Sequence, residues 1–131
     1  MKNTAALTLA WILMAGLASP VNAGAGAGDA QAGEKLFKRI CGGCHQVGES
    51  ARAGFGPPLN AIFGRQAGSA AGYQYSDAMK SADIVWTRDT LTAYLEDPKA
   101  VVPGTRMIFW GLSDQEKIDN LLAYLQGFQP Q

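Results

Sequence analysis

From Asp29 to Ile40 the apolar residues Ala32, Leu36, Phe37 and Ile40 recur at helical spacing, with Glu34, Lys35, Lys38 and Arg39 around the other face. This periodicity predicts an amphipathic helix. It runs into Cys41-Gly42-Gly43-Cys44-His45, where two glycines loosen the backbone. Between Gly48 and Gly72 the density of glycine, together with Pro57-Pro58, keeps most of the chain in turns, so the stretch needs something to wrap. Residues 77–81 predict one or two helical turns. Thr87 caps a predicted helix through Glu96 that presents Leu91, Tyr94 and Leu95 on one side and stops at Asp97-Pro98. After a turn at Pro103-Gly104, Ser113-Asp-Gln-Glu116 is a capping-box sequence opening a terminal helix marked by Ile118, Leu121, Leu122 and Leu125. No run alternates apolar and polar residues as a sheet would require. The prediction is an all-α fold of three longer helices, short helical turns and glycine-rich loops, without internal repeats.

The N-terminal pattern is of another kind. Lys2 supplies a positive start, Ala5 to Ala18 an apolar run broken by Thr8 and Gly16, and Val21-Asn22-Ala23 a small-residue end, which together predict a secretory signal peptide over residues 1–23. The alternative is an uncleaved anchor, but the strongly apolar middle is short of the roughly 20 residues of a spanning helix. Residues 24–28, Gly-Ala-Gly-Ala-Gly, form a flexible lead-in, and the folded domain is expected over residues 29–131. Cleavage leaves 10 basic against 11 acidic side chains, a formal charge of −1 on 108 residues. A balance this even lacks the cationic footprint of a nucleic-acid binder. Export places the chain in the periplasm, where cysteines can oxidise. A domain of this size has a small core, to which a disulfide, metal or cofactor commonly adds.

Cys41-Gly-Gly-Cys44-His45 is the C-x-x-C-H pattern of covalent c-type haem attachment. Two thiols three residues apart can add to the two vinyl groups on one side of a porphyrin, while the adjacent histidine turns its imidazole toward the iron. A thioredoxin-like dithiol would sit near a βαβ pattern, which is absent, and a closed zinc site needs four ligands where three adjacent candidates stand. His45 is the only histidine, so a sixth iron ligand from this chain is most readily a methionine, which raises the reduction potential. Met1 and Met14 leave with the signal peptide. Of Met79 and Met107, Met107 follows the Pro103-Gly-Thr-Arg loop, able to carry a side chain over a flat ligand, and is the preferred ligand; Met79 lies in a predicted short helix and suits core filling.

The chain from about Gly33 to Phe128 resembles the class I cytochromes c, of the mitochondrial cytochrome c and bacterial cytochrome c2 type. The resemblance rests on C-G-G-C-H at 41–45, G-P-P-L-N-A-I-F-G-R-Q-A-G at 56–68, Y-Q-Y-S-D-A at 73–78, L-T-A-Y-L-E-D-P-K at 91–99 and P-G-T-R-M at 103–107. It implies the class I fold around one covalent haem c, attached through Cys41 and Cys44, with His45 and Met107 as axial ligands. It implies that the Pro57 carbonyl accepts from the His45 imidazole. Arg65, Tyr75 and Trp86 would surround the propionates, with Tyr94 and Thr105 near the methionine side. Gly33 and Phe37 would meet the terminal helix at Leu121 and Tyr124. Taken alone, Tyr94 and Trp110 read as core aromatics.

The function implied is single-electron transfer between respiratory or photosynthetic partners, not catalysis. A peroxidase needs an open iron position that Met107 would close, a dithiol enzyme needs thiols that haem would consume, and a gas sensor needs a labile Met107. Expected partners are a quinol–cytochrome c reductase, a terminal oxidase, a reaction centre or a periplasmic dehydrogenase, met by transient docking of a monomer at a membrane complex. The lysine ring by which mitochondrial relatives meet acidic partners is thin here: Ile40 precedes Cys41, Ala100 follows Lys99, and Ser113-Asp114 replaces basic positions. A more apolar docking face is expected, with weaker steering by charge. Met79 stands where many relatives carry asparagine, so the polar network beside Tyr94 and Thr105 is expected to differ.

Overall fold

The computed structural model describes residues 27–130, so the predicted signal peptide and most of the lead-in lie outside the described residues. Among the described residues five helices follow one another: α1 (Ala30–Ile40), α2 (Asp77–Ser81), α3 (Arg88–Glu96), α4 (Pro98–Val101) and α5 (Gln115–Gln126). Among the described residues no strand forms, only an isolated bridge between Gln66 and Val85.

Local chemistry sets the ends. The Asp29 carboxylate accepts from the backbone N–H of Gln31 and Ala32 and so caps α1. Thr87 and Thr90 exchange side-chain and backbone hydrogen bonds in a capping box that opens α3. Asp97 ends α3 and begins α4 at once, because its carboxylate accepts from Lys99 and Ala100 while Pro98 occupies the first helical position. Asp97-Pro98, expected as a stop, is thus a helix start as well. The cap of α5 is Asp114, not Ser113. Its carboxylate accepts from the Lys117 N–H and pairs with the Lys117 ammonium at 2.7 Å, a charge-assisted arrangement that a serine hydroxyl cannot match.

The termini are brought together by α1 packing on α5. Leu36 and Phe37 meet a core containing the fully buried Ile118, Leu121 and Leu122, and the Phe37 and Tyr124 rings lie 5.4 Å apart. Gly33 sits at the crossing: a Cβ there would run into the Asn120 carbonyl and the Tyr124 Cβ. The Asp29 N–H donates to Asn120 Oδ1 at 2.6 Å, fixing the register of the same contact. Ile40, expected to complete the α1 stripe, is 38% exposed instead and borders a cavity.

The long glycine-rich segment is held by specific bonds. Asn60 both donates to the Gly48 carbonyl and accepts from its N–H, each at 2.8 Å, closing one loop. Ala61 adopts φ 53°, which costs an L-residue about 1–2 kcal/mol, and its N–H is bonded to the Phe128 carbonyl.

Gly33→Ala forces backbone atoms of α1 and α5 apart and is expected to lower stability by about 3 kcal/mol. Urea unfolding of the holoprotein checks this, and an unchanged midpoint contradicts the close-approach role.

Candidate functional site

Helix α1 continues past Ile40 as tight turns. The Cys41 and Gly42 N–H groups both donate to the Phe37 carbonyl, and those of Cys44 and His45 both donate to the Cys41 carbonyl. Winding the motif in this way puts Cys41 and Cys44, three residues apart, on one side. Both line a cavity of about 370 Å³, with Cys44 the more exposed. Burial, reinforced by neighbouring Cys44, pushes the Cys41 thiol up to about 11, so it is protonated at neutral pH.

His45 lines the same cavity, and its Nδ1 lies 2.8 Å from the Pro57 carbonyl oxygen. A carbonyl only accepts, so Nδ1 carries the proton and the Nε2 lone pair is left available. Burial holds the imidazole below its ordinary pKa, against the Pro57 bond and with a further lowering from Arg65. The neutral ring is the form that ligates a metal. Gly56 lies against this ring: a Cβ there would come within 2.6–3.0 Å of Cε1, Nδ1 and Nε2. Its N–H donates to the Cys44 carbonyl, tying the Pro57 loop to the cysteine turn.

Met107 enters the cavity lining from the loop after α4. The Thr105 hydroxyl pairs with the Tyr94 phenol at 2.9 Å and accepts from the Met107 N–H at 3.3 Å, so α3 holds the loop through one side-chain bond. Arg106 donates to the Tyr75 carbonyl and pins the loop from the other side. Burial raises the Tyr94 pKa despite the Thr105 bond, keeping the phenol protonated. Met79 of α2 is buried and also lines the cavity.

A half-buried polar corner completes the walls. Arg65 donates to the carbonyls of Asn60 and Pro58, Tyr75 stands edge-on to Tyr73 at 4.8 Å, and Trp86 is buried 5.0 Å from Tyr94. Tyr73 donates to the Phe55 carbonyl at 2.9 Å and ties two loops together beside the opening. All ten residues singled out in the sequence line this one cavity: Cys41, Cys44, His45, Pro57, Arg65, Tyr75, Trp86, Tyr94, Thr105 and Met107. Gly56, Tyr73 and Arg106 were missed. The two-residue spacing of Tyr73 and Tyr75 was the available signal for one of them; the other two act through backbone contacts that only the folded chain brings about. Trp110, read by default as core, is 89% exposed, with the Lys99 ammonium over its ring at 5.3 Å.

Such a set fits haem c: paired thiols, a neutral imidazole with one free nitrogen, apolar walls, and a cation with phenols in a polar corner. The cytochrome c family description matches residues 30–129. The chain belongs to the cytochrome c family. Cytochrome c2 of Blastochloris viridis is 46% identical over 104 residues, covering 79% of this chain and 81% of that protein. Cytochrome c-554 of Methylosinus trichosporium is 46% identical over 130 residues, covering 98% and 95%. The solved cytochrome cH from Methylobacterium extorquens superposes with a TM-score of 0.71 at 44% identity, covering 76% of this chain and 99% of that one. Membership of the cytochrome c family implies electron carriage with haem c bound covalently through cysteine, and Cys41 and Cys44 are the only cysteines this chain has.

Thr105→Val removes the partner of the buried Tyr94 phenol and of the Met107 N–H, and is expected to cost about 1–3 kcal/mol in urea unfolding. In a double-mutant cycle, adding Tyr94→Phe should recover part of that loss; strictly additive losses contradict the bond.

Proposed function

We propose that the chain carries single electrons through a haem c attached at Cys41 and Cys44, with His45 Nε2 and the Met107 thioether as axial ligands. The observation that carries this reading is the convergence of the two cysteines, a singly available imidazole nitrogen and a braced methionine on one apolar cavity. When bound, the haem supplies a ferric/ferrous couple, and the protein's task is to set its potential and to minimise movement during transfer. The Pro57 carbonyl orients the imidazole and raises its basicity. Tyr94 and Thr105 restrain the Met107 loop, and a thioether ligand favours the ferrous state. Arg65, Tyr75 and Trp86 provide charge and hydrogen-bonding capacity where the propionates would sit, offsetting the cost of burying carboxylates. The apolar walls exclude water and reduce its reorganisation as charge changes.

The domain over residues 29–131 works as a periplasmic monomer after removal of residues 1–23. Bacterial cytochrome c2 and c-554 among its relatives support that setting. Among the described residues no helix is long and apolar enough to cross a membrane. The partners are redox proteins: a quinol–cytochrome c reductase, a periplasmic dehydrogenase, a reaction centre or a terminal oxidase, each met by transient docking.

Purified holoprotein should show a c-type reduced spectrum and, when oxidised, the weak far-red band of iron–methionine ligation. Met107→Ala should abolish that band and let the reduced protein bind carbon monoxide at neutral pH, while Met79→Ala retains the band. A band that survives Met107→Ala and is lost in Met79→Ala reverses the ligand assignment, and carbon monoxide binding by the unaltered protein favours a sensor.

A further inference from the structure

Among the described residues Ala61 is the one non-glycine held at positive φ, at 53°, a conformation that an L-residue keeps only where its surroundings impose it. The peptide unit that leads into it is held at both ends. The Asn60 carbonyl accepts from Arg65 Nη1 at 2.9 Å, and the Ala61 N–H donates at 2.9 Å to the carbonyl of Phe128, just past the end of α5. Phe128 does not line the cavity, so binding the haem does not account for this contact.

Phe128 is itself fixed. Its N–H donates to the Leu125 carbonyl at 3.1 Å, and its ring stands edge-on to Tyr124 at 5.1 Å. Tyr124 in turn lies against Phe37 of α1, and the Phe37 carbonyl receives the N–H groups of Cys41 and Gly42 that begin the cysteine turn.

Four residues before Ala61 stands Pro57, whose carbonyl accepts from His45 Nδ1. Neither Pro57 nor Pro58 has an N–H, so hydrogen bonds can hold these two residues only through their carbonyls. On either side, the Gly56 and Leu59 N–H groups fasten the stretch to the carbonyls of Cys44 and Gln46. Between them the Pro58 carbonyl accepts from Arg65 Nη2 at 3.1 Å, so one planar guanidinium holds the carbonyls of Pro58 and Asn60 at a fixed spacing. Turning the Asn60–Ala61 peptide would take the Asn60 carbonyl out of that fork and loosen its companion at Pro58, next to the carbonyl that orients the imidazole. The circuit closes on the histidine, because the His45 N–H donates to the Cys41 carbonyl in the turn that Phe37 begins.

We propose that Phe128 is a positioning residue for the histidine ligand: its backbone carbonyl holds Ala61 in the left-handed conformation and, through the Arg65 fork, keeps the Pro57 carbonyl on His45 Nδ1. This rests on the reading of His45 as an iron ligand and deepens it. The tail after α5, remote in sequence from the ring, then takes part in setting the ligand's basicity and with it the reduction potential.

The test follows exchange of the His45 Nδ1 proton with solvent by NMR in the reduced holoprotein. Ending the chain after Gly127 should speed that exchange about tenfold, the factor to which the left-handed penalty of an alanine corresponds, and should raise the reduction potential, because a less basic imidazole favours the ferric ion less. Glycine carries no such penalty, so in an Ala61→Gly chain the same truncation should change the exchange by less than about twofold. Ala61→Val, which adds strain with Phe128 in place, should speed it about threefold. Exchange unchanged by truncation overturns the proposal, as does unchanged exchange in Ala61→Val where the truncated chain takes up no haem. So does equal acceleration in the alanine and glycine chains, or acceleration matched at the amide of the buried Leu122, which marks general loosening. Failure of the carrier reading shows separately, as absence of a c-type reduced spectrum or of the far-red band in the unaltered protein.

Discussion

The core of this chain is also the wall of its cavity. Among the described residues nine of the fourteen buried apolar side chains, among them Phe37, Met79, Trp86, Tyr94 and Leu121, line the cavity, so core and site are built from the same side chains. An apolar occupant would therefore complete the core as well as serve the chemistry. Among the described residues the α1–α5 crossing is the densest contact between helices, and Gly33 allows it by letting the two backbones meet.

Everything else serves to hold irregular chain at fixed distances around that space. Asn60 closes one loop, Tyr73 ties it to another, Arg106 and Thr105 brace the methionine loop from opposite sides, and Gly56 lets the Pro57 segment lie flat on the imidazole. Each bond is worth little alone, but each removes a way for a ligand to move. Single-electron transfer asks its protein for little movement around the redox group, so bonds that order the loops also suit an electron carrier.

The features legible in the sequence are those whose cause is local. Asp29 and Thr87 announce helix starts because a side-chain oxygen next to free N–H groups needs no tertiary help. Cys41, Cys44 and His45 stand out because their spacing is itself the chemistry, and Met107 because counting leaves so few alternatives; the fold brings all four to one cavity. Trp110 and Ile40 were misread because apolar character predicts burial only where a neighbour arrives to cover the residue. Helix α4 was hidden by a proline that suits a helix start as well as a stop, and Asp114 displaced Ser113 because charge decides between adjacent caps.

The most direct test is far-UV circular dichroism of the haem-free chain, made in cells lacking c-type maturation, followed through urea unfolding beside the mature holoprotein. A fold built around its cofactor predicts low helicity and no cooperative transition without haem, against a single cooperative transition with it. A haem-free chain that unfolds cooperatively at a similar midpoint would contradict the account, and the cavity would then be a feature the protein tolerates without help.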